Sequence, residues 1–524
     1  VAALLAYLPG LDAQYVWTKD EARPGLVAKE MLSDGQWAIP RFGGRLYVEK
    51  PPLFPWLVVL ASPRGVSEWT LRLPSVLAAA VTLVATYLLG ARLASRAAGA
   101  VAAGALASSF AFFEWARTGR MEMVLVLWIT LGFWSVVRWF DEGQLRDAAA
   151  LGLWMGLGVL TKGPIALIPL AGALALAVLD RPVPRRWGAA ALAGAIAIGL
   201  PLLWLVAAVL SSPDAAAYML GLGPQFVTEL QRPPPRSPFF PLEAVGTGFL
   251  PWTVLLPVVI WLAIPHWKEE RRVLIFLLAW IGTIALTFTL VVRPRTPHFL
   301  PLYPPLALLV GWGWHVASPA MRRRVVAATA AIAAIVTTAI AAFWLTATVT
   351  GLPFPGWIPQ RSAGARLALL VVLIIAPLAW WLAWRRRVGA AGFLISATTL
   401  VFFLAIDLGV HTPAVNSTFG TRPAAARFAS HLPRDTELIF MDRKLLPSLL
   451  FYLPQPAHEV ATSSALLRAQ PREMFHVLFP EPDFNDLGEK LGRPVTVLEE
   501  IEIDRTVYVL ARIEPFIYGY TERF

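Results

Sequence analysis

Apolar runs long enough to cross a bilayer recur through the first four-fifths of this chain, and they limit what it can fold into. A crossing helix needs about 20 mostly apolar residues. The runs fall at Leu73–Gly90, Ala97–Phe113, Met121–Phe140, Ala148–Leu160, Ile165–Leu179, Trp187–Leu210, Leu242–Ile264, Val273–Val292, Phe299–Ala317, Val325–Thr348, Leu367–Trp384 and Val388–Ile406. The opening VAALLAYL is half a span. The chain is therefore expected to continue before Val1, and the completed helix brings the crossings to about thirteen. With 57% hydrophobic and only 15% charged residues, a soluble fold of 524 residues is excluded.

Charge then orients the spans. Every second loop is short and rich in arginine: Arg92 and Arg96, Arg146, Arg181 with Arg185 and Arg186, Lys268 with Arg271 and Arg272, Arg322–Arg324, and Arg385–Arg387. The positive-inside rule puts these loops in the cytoplasm. It also accounts for much of the net charge of +11, so the basic balance gives no reason to expect nucleic acid. The chain has no cysteine, hence neither disulfide nor thiolate chemistry.

The alternate segments face outward, and they carry charges that sit awkwardly close to hydrocarbon. The long first loop, residues 10–68, holds Asp20, Glu21, Arg23, Glu49 and Lys50; EWARTGRMEM holds Arg117, Arg120 and Glu122; LTKGP holds Lys162; VVRPRTPHF holds Arg293 and Arg295. Charges at the edge of a membrane are costly and call for a reason. Each has a bland account taken alone. Asp20 and Glu21 suit the first turn of an amphipathic interfacial helix built on Leu26, Val27, Met31 and Leu32. Lys50 suits a snorkelling lysine, Lys162 a loop cation before a Gly-Pro break, and Arg120 with Glu122 an ion-paired helix end. Together, on one face, acids and cations suit a reaction that expels a phosphate leaving group.

The chain changes character near its end. From residue 408 short alternating elements replace the apolar runs, with helical TRPAAARFASHL and LLPSLLFYL and strand-like ELIFMD, EMFHVLFP, PVTVLEEIEI and TVYVLARI. The division expected is a membrane domain over 1–407, including the first loop, and a small extracytoplasmic α/β domain over 408–524. No glycine-rich nucleotide loop or zinc-ligand cluster stands out.

DEARPGLVAKEMLSDGQWAIPRFGGRLYVEKPPLFPWL resembles the first outer loop of the ArnT-like polyprenyl-phosphate glycosyltransferases, a GT-C family related to the protein O-mannosyltransferases. The matching positions are Asp20-Glu21, Arg23, Glu30-Met31-Leu32, Trp37 to Pro40, and Glu49-Lys50-Pro51-Pro52, followed in order by LRLPS, ARTGRMEM, LTKGP, FLPW and HFLPLYPPLALL. The resemblance implies an inverting transferase in a bacterial inner membrane. Its sugar, a pentose such as aminoarabinose or a hexose, would come from a polyprenyl (undecaprenyl) phosphate. The acceptor would be lipid A, another glycolipid or glycan, or a protein hydroxyl at the periplasmic face. It also implies Asp20 as general base, with Glu21 and Glu122 as the other carboxylates, and Lys50, Arg23, Arg120, Lys162 and Arg295 as phosphate contacts. In the aminoarabinose transferase the family's metal is held by a glutamate matching Glu49 and by a histidine in a later loop. The loop from Ser211 to Pro238 has no histidine, so no catalytic metal is expected to be required, with Glu49 the one candidate ligand. Glu122 stands where the family commonly has Asp, and Pro24 where it often has an aromatic.

Two other classes fit many helices and a charged rim: a transporter or lipid flippase, and an inactive scaffold that keeps the fold. Transporters place ionisable groups near the midplane at broken helices, whereas most spans here carry no charge in their middle.

Overall fold

The computed structural model describes residues 6–47, 50–179, 185–211, 239–290, 295–331, 374, 377–378, 381–382, 385, 387–433, 436–440, 446–459, 474–482, 484 and 494–514. It is mainly helical. Among the described residues five helices are long and apolar enough to cross a membrane: Glu68–Leu93, Met121–Glu142, Arg185–Ser211, Arg271–Leu290 and the one beginning at Val388. Two further pairs, Arg96–Ala107 with Phe110–Ala116 and Phe240–Gly248 with Trp252–His266, are bent by 67° and 111° and bring the number to seven if each is one span. This is a multi-pass membrane protein.

Several expected spans take shorter forms. The run Ile165–Leu179 becomes a 3-10 turn, Pro164–Leu167, and an 11-residue helix, because prolines at 164 and 169 interrupt the ladder. Phe299–Ala317 likewise divides at Pro301 into a 3-10 segment and the Tyr303–Val316 helix. The expected span Leu367–Trp384 and the part of Val325–Thr348 after residue 331 fall almost wholly outside the described residues.

The chain parts into two compact units. The first comprises Val1–Leu11, Val48–Leu57 and Arg72–His411; the second comprises Asp12–Tyr47, Val58–Leu71 and Thr412–Phe524. This differs from a cut at 407/408, because most of the first loop groups with the C-terminal part. The physical reason is direct bonding. Asn416 donates to the Ala13 carbonyl at 2.8 Å and accepts from the Tyr15 amide at 2.8 Å, while the Tyr452 hydroxyl accepts from the Val16 amide at 2.7 Å.

Within the first unit, buried Arg117 ties three segments. It pairs with Asp407 at 2.9 Å and donates to the carbonyls of Tyr7 (2.7 Å) and Gly10 (3.4 Å). Fully buried Arg72, the charge in LRLPS, donates to the Leu11 carbonyl at 2.6 Å.

The second unit holds the Lys19–Asp34 helix, a small hairpin of β1 (Arg41–Phe42) and β2 (Arg45–Leu46), and a five-stranded mixed sheet. The sheet comprises β3 (Leu438–Phe440), β4 (Ala457–Glu459), β5 (Phe475–Pro480), β6 (Val495–Ile503) and β7 (Thr506–Ile513), ordered β4-β3-β5-β7-β6. β3 runs parallel to β4 and β5, and the remaining pairs are antiparallel. One sheet face buries Phe475, Val477, Phe479, Val509, Ala511 and Ile513 together, the period-2 pattern that the strand-like sequences predict.

Candidate active site

Three of the outer charges meet in the first unit. Glu122 is the second residue of the Met121–Glu142 helix, which Arg120 precedes in an extended conformation. Its side chain is 8% exposed, and Lys162 donates to Oε1 at 3.0 Å. Arg120 also reaches the carboxylate, with Nε on Oε2 and Nη2 on Oε1, both at 3.3 Å. A buried carboxylate needs such partners, and here two cations supply them.

Local sequence explains how each cation is aimed. Lys162 ends the Leu145–Lys162 helix, and Gly163 stops it with φ 81° and ψ −156°, a backbone state essentially reserved for glycine. Pro164 then forbids the helix from continuing. Arg120 lies 4.9 Å from the centroid of the Trp115 ring, and the Ser75 hydroxyl donates to its carbonyl at 3.0 Å. Ser75 is the serine of LRLPS, so that motif positions a site residue to which the sequence links it only by order along the chain.

Further groups lie in electrostatic range. Lys50 and Arg120 act on Lys162; Lys162, Glu122, Arg295 and Arg120 act on His298. Glu114 also feels Arg120. Two cations thus hold Glu122, in excess of its single charge, while Lys50 lies in electrostatic range of Lys162 and Arg295 in range of His298. His298 stacks on Phe288 with centroids 5.1 Å apart, and its Nδ1 accepts from the Arg295 amide at 3.3 Å. Burial, and then the Lys162 ammonium, hold its imidazolium form well below the ordinary histidine range. With Nδ1 accepting from the amide, the ring carries its proton on Nε2. In the sequence alone His298 looks isolated and structural; Arg295 three residues earlier is the signal that it belongs to this cluster.

Asp20, Glu21 and Arg23 belong to the second unit. They open the Lys19–Asp34 helix, whose N-cap is Thr18, its hydroxyl accepting from the Glu21 amide at 3.3 Å. Glu21 is buried at 2% exposure with Ala22, Val27, Ala28 and Met31, while Asp20 is half-buried on the turn before. The Arg23 guanidinium lies 5.9 Å from the Phe42 ring centroid. Glu30 plays a structural part. It accepts from the amides of Gly43 (2.6 Å) and Gly44 (3.3 Å), pinning a hairpin turn whose glycines have φ 59° and 73°.

Glu49 lies outside the described residues. Among the described residues no three metal-ligating side chains converge. Glu122 is engaged by two cations, which suits it poorly to a metal.

Residues 49–205 match the family described as dolichyl-phosphate-mannose-protein mannosyltransferase. The undecaprenyl phosphate-alpha-4-amino-4-deoxy-L-arabinose arabinosyl transferase of Aeromonas salmonicida is 29% identical over 327 residues, 59% of this chain and 57% of that protein. The Pseudomonas aeruginosa enzyme of the same description is 31% identical over 324 residues, 59% of this chain and 58% of that protein. The chain thus spans under three-fifths of the length of the curated relatives it matches. The crystal structures of ArnT from Cupriavidus metallidurans, in the apo state and bound to undecaprenyl phosphate, superpose with TM-scores of 0.79 and 0.77 at 20% identity, covering 97% of this chain and 96% of theirs. Along nearly its whole length, this chain has the fold of those two structures.

Proposed function

We propose that this chain is a membrane glycosyltransferase that moves a sugar from a polyprenyl phosphate to an acceptor at the outer face of a bacterial plasma membrane. One observation carries the reading: Arg120 and Lys162 both bond Glu122, in excess of its charge, with Lys50 in electrostatic range of Lys162 and Arg295 in range of His298, within an ArnT-like fold. A sugar leaving a phosphate puts negative charge on the departing oxygen, and preorganised cations stabilise that charge most where water is scarce. Glu122 holds two of these cations in place. Arg23 remains a further phosphate contact on the strength of the sequence resemblance.

In the reaction, the acceptor oxygen bonds to the anomeric carbon as the bond from that carbon to the phosphate oxygen breaks. The acceptor's proton passes to a carboxylate, and the lipid phosphate leaves as an anion. We assign the proton to Asp20. It is half-buried, whereas Glu21 is turned into the helix packing. We propose that the cations, and no catalytic metal, carry the leaving-group charge. Attack opposite the leaving group inverts the anomeric centre. The undecaprenyl-linked aminoarabinose in the relatives' names makes a pentose the first donor to test, and the sequence resemblance makes lipid A the first acceptor, before other glycans and protein hydroxyls. The reading includes about thirteen crossings, with residues 408–524 outside the membrane on the same face.

The test is a transfer assay with the purified chain, a polyprenyl-phosphate-linked pentose and lipid A, with Lys50→Ala as the variant. Turnover and donor binding are expected to fall together while the protein keeps its thermal midpoint. Transfer by Lys50→Ala at the wild-type rate and affinity would return that residue to a snorkelling role. No sugar transfer by the native chain with pentose or hexose donors would sink the reading.

A further inference from the structure

A cavity in the first unit lies at the ends of the spans that adjoin the arginine-rich loops and plays no part in the proposed reaction. Its volume is about 310 Å³, within the roughly 300–1,000 Å³ usual for ligand sites. The walls come from residues 97–104, 252–262, 310–329 and 388–396, and they are almost wholly apolar. The wall from Val388 to Ser396 runs about 12 Å along its helix at 1.5 Å per residue, the depth of a chain-like ligand.

The mouth differs from the walls. Arg322 is the one charged residue in the lining, fixed by its bonds to the carbonyls of Trp314 (2.8 Å) and His315 (2.9 Å) and lying 5.7 Å from the Trp314 ring centroid. The wall segments begin beside further arginines: Arg96 precedes Ala97, Arg387 precedes Val388, and Arg323 and Arg324 follow Arg322. Arg96, Arg324 and Arg387 are exposed. All belong to the arginine-rich loops that the positive-inside rule assigns to the cytoplasm. A slot of hydrocarbon character with Arg322 in its lining and further arginines next in sequence to its walls, in loops assigned to the cytoplasmic side, matches an amphiphile with one negative head and an apolar tail.

We propose that this cavity holds one acyl chain of an anionic phospholipid of the cytoplasmic leaflet, with its phosphate against the arginines at the mouth. A zwitterionic lipid offers the same tail but no net charge to the arginines. The polyprenyl donor is the other amphiphile at hand, but its phosphate is assigned to the cations around Glu122, in loops of the opposite set. The inference stands independently of the transfer reaction.

The test uses the full chain in phosphatidylcholine nanodiscs doped with a phospholipid carrying a diazirine in its acyl chain. After irradiation, adducts are mapped by mass spectrometry. The phosphatidylglycerol probe is expected to label peptides covering 310–329 and 388–396 several-fold more than the phosphatidylcholine probe. Gly392 lines the cavity and has open space where a side chain would start, so Gly392→Leu fills the cavity and is expected to cut labelling several-fold. Should that variant misfold, Arg324→Gln with Arg387→Gln changes exposed residues only and is expected to abolish the preference for phosphatidylglycerol. Equal labelling by both probes overturns the proposal, as does labelling that all of these substitutions leave unchanged. Displacement of the probe by undecaprenyl phosphate, and not by unlabelled phosphatidylglycerol, reassigns the cavity to the isoprenoid.

Discussion

Asp20 and Glu21 are adjacent acids on one helical turn, but Glu21 is buried and Asp20 only half-buried. Thr18 already caps the helix, so Asp20 is not needed as its cap. A first-turn acid adds only about 0.3–1 kcal/mol through the helix dipole. Asp20→Asn keeps the shape and gives up the basic oxygen. It is expected to lower transfer about a hundred- to ten-thousandfold, the usual cost of losing a general base, while donor binding stays within a few-fold. Glu21→Gln, in a buried position, is expected to lower the thermal midpoint more than the rate. Wild-type transfer by Asp20→Asn would move the base to another carboxylate, with Glu122 next to test. Lys29, on the same helix, gives a pH signature. It donates to the Phe451 carbonyl, and burial lowers its ammonium from 10.5 to about 8, partly offset by Glu68. The folded chain therefore loses this proton before the unfolded chain does. Below about pH 8 the buried charge costs stability, and the cost fades as pH rises toward 10.5. Thermal melts of wild type against Lys29→Met should converge across that window, and a constant difference would show that Lys29 is not the source.

At the scale of elements, the helix stop at Lys162-Gly163-Pro164 sets the geometry of the charge cluster. Gly163 needs a backbone state that any side chain strains, and nothing lies within 4 Å of where its Cβ would be. Gly163→Ala therefore tests backbone alone. It is expected to cost about 1–3 kcal/mol and to loosen Lys162 from Glu122, read as a lower midpoint together with weaker donor binding. A midpoint and affinity equal to wild type would mean the stop does not aim the lysine. This element also shows what the sequence made legible. LTKGP announces a helix end with a cation on it, and ARTGRMEM announces an acid at a helix start. That Lys162 meets Glu122 was not legible, because 40 residues separate them and only packing of the two helices joins them. Ser75 and Arg72 were hidden for the same reason: their partners, Arg120 and Leu11, lie 45 and 61 residues away. Glu30 was visible as part of a motif, but its hold on the Gly43-Gly44 turn needs the chain to fold back on itself. The grouping of the first loop with the C-terminal sheet was equally invisible, since it rests on bonds spanning more than 400 residues.

On the scale of the whole molecule, the proposed chemistry depends on which face of the membrane the charges occupy. The arginine-rich loops are the ground for the proposed orientation, and the last span offers the cleanest place to check it. The Val388–Ile406 helix has 19 residues, about 28 Å at 1.5 Å each, which matches a hydrocarbon core of about 30 Å. Arg385, Arg386 and Arg387 stand at its start, and no basic residue lies within it. A cluster of three arginines beside a span is expected to hold that end in the cytoplasm, because moving it across would take each guanidinium through hydrocarbon at a cost of several kcal/mol. On the proposed orientation the other end would lie outside, together with the segment that follows Asp407. A phosphatase reporter fused after Asp407 is therefore expected to be active in the periplasm, and the same reporter after Arg387 inactive. A fluorescent protein that matures only in the cytoplasm should show the reverse. Replacing all three arginines with glutamine weakens the retention and is expected to raise phosphatase activity of the Arg387 fusion. Equal activity of the two fusions would mean that this segment does not cross. Phosphatase activity after Arg387 alone would invert the chain, putting the Glu122 cluster and its cations on the cytoplasmic side and removing the outer-face acceptor from the proposed reaction.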